Sequence, residues 1–144
     1  MTTIVVGVNN QATALAAFTR AKSLAQLTDA DLHLVYAVDA GDTAAEATAR
    51  RHAEGLLESL ALSSGHPVAV HVIVGKPHDA ILQVAGKQHA DLVVIGNKGL
   101  TKRGRFTREV PALVLRHATC SVLVVDTASA SMTAKDSSPS KPFG

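Results

Sequence analysis

In Ala90-Asp91-Leu92-Val93-Val94-Ile95-Gly96-Asn97-Lys98-Gly99, an unbroken row of branched aliphatic residues runs from an acidic start into a glycine-bearing loop. A strand with one wet face alternates apolar and polar positions, whereas an uninterrupted row marks a strand whose two faces are both covered by helices, as in parallel sheets. Ile4 to Val8 and Val122 to Val125 share this character. Leu32 to Val38 and Val68 to Val74 are further β-branched runs bounded by turn or polar residues, which brings the predicted strands to five. Helical spacing fills the intervals. Ala14, Phe18, Ala21 and Ala25 share one face of a first helix. Leu56, Leu57 and Leu60 close a second, which opens on the capping-box pattern Thr43-Ala44-Ala45-Glu46. Ile81, Val84 and Ala85 mark a third, begun by Pro77, and Val110, Leu113, Val114 and His117 a fourth, with Pro111 near its start. Alternating strand and helix is the pattern of βαβ units with right-handed crossovers. The expected fold is α/β, an open parallel sheet with helices on both faces.

Composition agrees. The 144 residues suit one domain, and with aromatics at 3% and no Trp the core must be aliphatic and closely packed. From about Thr127 the chain turns to Ser, Thr, Ala, Lys and Pro, so residues 1–126 are read as the domain and 127–144 as a disordered tail. The lone Cys120 cannot form an internal disulfide, which fits a reducing compartment. The start Met1-Thr2-Thr3 leads directly into a strand with no leader pattern, and no apolar run nears the roughly 20 residues that span a bilayer, so the expected location is cytoplasmic, with no membrane partner. A net charge of +2 is too weak a bias to imply a nucleic-acid partner.

In an open α/β sheet, ligands bind beyond the carboxyl ends of the strands where the strand order reverses, so the loops after strands are the candidates. They are Asn9-Asn10-Gln11, Asp39 to Asp42, Gly75-Lys76-Pro77, and Gly96 to about Arg108. The last carries Lys98, Lys102, Arg103, Arg105 and Arg108, with glycines at 96, 99 and 104. Glycines let backbone N–H groups approach an anion, so the loop reads as a phosphate cradle or, equally, as a solvated basic loop.

The chain resembles the universal stress proteins over residues 3 to about 126. The resemblance rests on the order of elements, on Ile4-Val5-Val6-Gly7-Val8, on Ala90 to Gly99, and on Leu115-Arg116-His117-Ala118-Thr119-Cys120-Ser121-Val122-Leu123-Val124-Val125. It implies a five-stranded parallel sheet ordered 3-2-1-4-5, of the adenine nucleotide alpha hydrolase-like type, with the crevice between the first and fourth strands. It also implies a homodimer paired through strand 122–125. That apolar strand would be a sticky edge if left open.

The ATP-binding branch of the family carries Gly-x-x-Gly, nine residues, then Gly followed by Ser or Thr. Gly96 and Gly99 match the first half, while Glu109 and Val110 stand in place of the second. Glu109 brings a negative charge where outer phosphates would lie, at a cost on the order of 1 to 4 kcal/mol, and Val110 has no hydroxyl to donate. Asn9 stands where the family has an aspartate at the end of the first strand. The adenosine part of the family site corresponds to groups around Val8 and Ala37. The implied nucleotide site is therefore Val8, Asn9, Ala37, Gly96, Lys98, Gly99, Glu109 and Val110, an atypical one. It would take AMP or cyclic AMP, which lack outer phosphates, or ATP if Lys98, Lys102 or Arg103 neutralises Glu109.

Catalysis finds little support. The seven histidines, at 33, 52, 66, 71, 78, 89 and 117, have no metal-ligand spacing along the chain. His117 and Cys120 read as a helix end and a packing residue. Glu46, Glu54 and Glu58 beside Arg50 and Arg51 read as a solvated, ion-paired helix face. With no Walker loop and no serine elbow, the chain is read as a stress-response sensor or regulator and not as an enzyme. The alternative is a dimeric interaction module that binds no nucleotide. An ATP hydrolase ranks below both, for want of a base to position water or a pair of Mg²⁺ ligands.

Overall fold

The computed structural model describes residues 2–8, 12–97 and 109–126. In chain order the elements are β1 (Thr3–Val8), α1 (Ala12–Thr28), β2 (Asp31–Val38), α2 (Thr43–Ser64), β3 (Val68–Val74), α3 (Pro77–Lys87), β4 (Leu92–Asn97), α4 (Glu109–His117) and β5 (Ser121–Asp126). All strand pairings are parallel and the sheet order is β3-β2-β1-β4-β5, as the resemblance implies. The tail at 127–144 lies outside the described residues.

Strand periodicity splits the interior into two aliphatic layers. On one face Ile4, Val6, Leu32, Leu34 and Val94 pack with Phe18, Ala21 and Ala25 of α1 and Leu57 of α2. On the other Val5, Val35, Val93 and Ile95 pack with Ala80, Ile81 and Val84 of α3 and Val114 of α4. Ile4, Val5, Val6, Val93 and Val94 are all at most 1% exposed, so the central strands are covered on both sides, which is why they read as unbroken apolar rows. Gly7 has a packing reason. A Cβ there would lie 2.5 Å from Ile81 Cδ1 and 3.2 Å from Ile95 Cγ2, so the missing side chain lets α3 sit close on β1.

Local chemistry sets the ends. The second helix is capped one residue earlier than its sequence suggests. Asp42, not Thr43, is the N-cap, and its Oδ1 accepts from Ala45 N–H at 2.8 Å, because a carboxylate satisfies an orphan donor more strongly than a hydroxyl. The helix closes on Gly65 at φ 68°, a left-handed position that glycine adopts without strain. Pro77 opens α3 at its first turn. At the opposite end of the sheet, Asp91 Oδ2 accepts from Thr3 N–H at 2.8 Å and Asp91 N–H donates to Thr3 O at 2.8 Å, which locks β4 to the start of β1. No ion pair closes between the acids and arginines of α2, so that face is solvated but not paired, and the close contact of a basic ring with a carboxylate among the described residues is His78 Nε2 to Asp79 Oδ1 at 3.3 Å.

Candidate functional site

The strand order reverses between β1 and β4. β1 connects through α1 to β2 on one side, and β4 connects through α4 to β5 on the other, so their carboxyl ends diverge into a crevice. Val8 ends β1 and is 6% exposed, with its side chain in the α1 layer. Val6 is level with Val94, which carries the register two residues on to Val8 and Gly96 across the crevice. Ala37 lies one residue beyond Tyr36, the partner of Val8, and its side chain joins the opposite, α3 layer. Val110, in the first turn of α4, packs partly buried against that same layer. The structure thus brings Val8, Ala37, Gly96 and Val110 to one end of the sheet. Glu109 begins α4. Asn9, Lys98 and Gly99 lie outside the described residues, as do the Glu109 side chain and the rest of the basic loop to Arg108.

An open cleft of about 970 Å³ lies one strand over, above the end of β2. Its lining includes Tyr36, Ala37, Asp39, Asp42, Glu46 and His52, so Ala37 is shared between the cleft and the expected site. The chain makes this cleft because β2 ends in the small, turn-forming run Asp39-Ala40-Gly41-Asp42, and α2 then starts with Ala44, Ala45 and Ala49 facing it. Small side chains leave room. Burial first, and the Asp39 carboxylate second, hold the Tyr36 hydroxyl above its ordinary 10.0, so it remains a neutral hydrogen-bond donor. With three carboxylates against one histidine, the cleft repels anions. It suits the uncharged end of a ligand better than an anionic one. Of these residues, the loop from Asp39 to Asp42 was legible as a loop after a strand, but Tyr36, Glu46 and His52 were not, since they reach the cleft only when α2 folds back over β2.

A second cluster sits apart from the crevice. His33 Nδ1 and His71 Nε2 lie 2.9 Å apart, one donating and the other accepting, with ring centroids 5.2 Å apart and planes at 25°. Burial lowers both histidines below their ordinary 6.5. Asp31 partly offsets this at His33, and His33 adds to it at His71. A histidine held below its ordinary value binds fewer protons folded than unfolded, so its contribution to stability is present above 6.5 and is lost as pH falls through the folded value. We expect the melting temperature to fall on acidification below about pH 6.5, and to fall less in a His33→Asn/His71→Asn variant. Parallel slopes in thermal melts from about pH 7 to pH 5 would show that the pair carries none of the effect. Cys120 is pushed up by burial and by Asp91, which leaves it a thiol and not an activated nucleophile. Among the described residues, no three or more His, Cys, Asp or Glu side chains group around a metal site.

The profile of the universal stress protein family matches residues 1–126. A curated universal stress protein of Mycobacterium tuberculosis is 50% identical over 56 residues, a segment that spans 38% of this chain and 38% of the relative. A crystal structure of a universal stress protein in complex with cAMP superposes with a TM-score of 0.75 at 29% identity, covering 88% of this chain and 98% of that one. The universal stress protein UspA from Lactobacillus plantarum superposes at 0.66 with 30% identity, covering 86% and 97%. A doubly wound sheet ordered 3-2-1-4-5, with its crevice at the β1/β4 reversal, defines a nucleotide-site α/β fold. The chain belongs to the universal stress protein family.

Proposed function

We propose that this universal stress protein is a sensor or regulator that binds an adenine nucleotide lacking outer phosphates, cyclic AMP or AMP, at the carboxyl ends of β1, β2 and β4. The observation that carries the reading is the close superposition, along nearly the whole domain, on a relative in complex with cAMP. The acidic cleft at the end of β2 supports placing the adenosine end beside Ala37 and Tyr36, with the phosphate toward Gly96 and the loop that follows. Glu109 and Val110, where the ATP-binding branch has glycine and a hydroxyl residue, favour the shorter ligands. The role proposed is binding and not catalysis, a reading supported by a sequence that carries neither a Walker loop nor a serine elbow. The proposed place of action is the cytoplasm; no described helix is long and apolar enough to cross a membrane. β5 is an edge strand with Val122, Leu123 and Val124 only partly covered, which supports a homodimer paired along that edge.

Thermal-shift titration with cyclic AMP, AMP, ADP and ATP, with and without Mg²⁺, tests the reading. A ligand at 100 times its Kd stabilises the native state by about 2.7 kcal/mol, which for a domain of this size raises Tm by ~10 °C. We expect saturable shifts with cyclic AMP and AMP and smaller ones with ATP. No shift with any of the four at millimolar concentration would return the chain to the interaction-module reading.

A further inference from the structure

We propose that His33 and His71 form a two-imidazole site for a divalent late transition-metal ion of tetragonal or octahedral habit, of the Ni²⁺ or Cu²⁺ kind, on the open face of the β2–β3 edge. The site is separate from the nucleotide crevice and independent of the nucleotide reading. Both side chains project from the α3 side of the sheet, because His33 lies two residues from Val35 and His71 two residues from Ile73, and both of these join the α3 layer. α3, however, packs mainly against β2 and β1 and less against β3. Ala69, paired with His33 and two residues before His71, is exposed, and both rings are only partly buried. Two imidazoles 38 residues apart are thus held together on a rigid sheet with solvent on one side.

Their chemistry and geometry suit a metal. Late transition metals bind imidazole nitrogen at about 2.0–2.1 Å. Two nitrogens 2.9 Å apart then subtend about 90° at the ion, the cis angle of a tetragonal or octahedral site, whereas a tetrahedral ion would need them about 3.4 Å apart. On binding, the donor ring shifts its single proton to its other ring nitrogen, which frees both facing nitrogens for the metal, and each ring turns by about 45° to aim its lone pair at the ion. Both rings must be neutral to bind, and burial favours that state. Asp31 lies on the same face two residues before His33 and offers negative charge nearby, and water fills the remaining positions.

Calorimetric titration of the untagged full chain with Ni²⁺ tests the site. We expect one ion per chain at micromolar concentration, with binding weakened at least about tenfold in His71→Ala and in His33→Ala, and unchanged in His78→Ala. His71→Gln keeps a hydrogen-bonding partner for His33 but supplies no imidazole, so it should melt near wild type without metal and still lose the ion. Binding retained in both His33→Ala and His71→Ala, or no saturable binding below about 1 mM, overturns the proposal.

Discussion

Leu34→Ala is expected to lower folding stability by about 2–5 kcal/mol, and the melting temperature by ~10–20 °C. Leu34 is fully buried in β2, between Leu32 and Tyr36 on the layer that α1 and α2 cover, with Leu57 and Phe18 in the same cluster. Truncation loses the transfer free energy of the side chain, and it also leaves a cavity that cannot collapse, since the strand is bonded on both sides to β1 and β3. Leu62→Ala is the control. That leucine is 86% exposed on α2, so its loss should change stability by no more than about 0.5 kcal/mol. Urea unfolding of both variants checks the pair, and a Leu34→Ala loss below about 1 kcal/mol would contradict the packing described.

The second large effect concerns the ligand. Glu109→Gly combined with Val110→Ser should tighten ATP binding by about fivefold to several hundredfold, while changing cyclic AMP affinity far less. The two residues begin α4, whose N-terminal N–H groups would otherwise favour an anion. If the family motif positions hold, a carboxylate at 109 would set a like charge against the outer phosphates, and serine at 110 would restore a hydroxyl donor for them. Titration of wild type and double variant with ATP and cyclic AMP reads the difference. Equal gains for both ligands would mean that the substitutions act on the common adenosine part and not on the outer phosphates, and no gain for ATP would remove Glu109 and Val110 as the barrier.

The extent of the sheet was legible along the chain because each strand carries its own signal. Val68–Val74 was read residue for residue, three of the other strands differ from their sequence reading by one or two residues at one end, and β5 extends one residue further at both ends. The helices were equally local, with Pro77 opening α3 and the apolar spacing of Val110 and Val114 marking α4. Where the reading slipped, a competing local group won, as when Asp42 capped α2 ahead of Thr43. The half motif Gly96/Gly99 and the substitutions at Glu109 and Val110 were also plain, since motif spacing is a property of the chain itself.

Other features need the fold. His33 and His71 have no mutual spacing that a sequence pattern would flag, and they meet because β2 and β3 pair in parallel with Val35 opposite His71. Tyr36, Glu46 and His52 share one cleft because α2 returns over the end of β2, and the charge of that cleft belongs to the arrangement and not to any one segment. Residue order and periodicity dictated the strands, the helices and the family, because backbone propensity and burial pattern act over a few neighbours at a time. The acidic wall of the cleft and the histidine pair were settled only by strand register and helix packing, which join residues far apart in the chain.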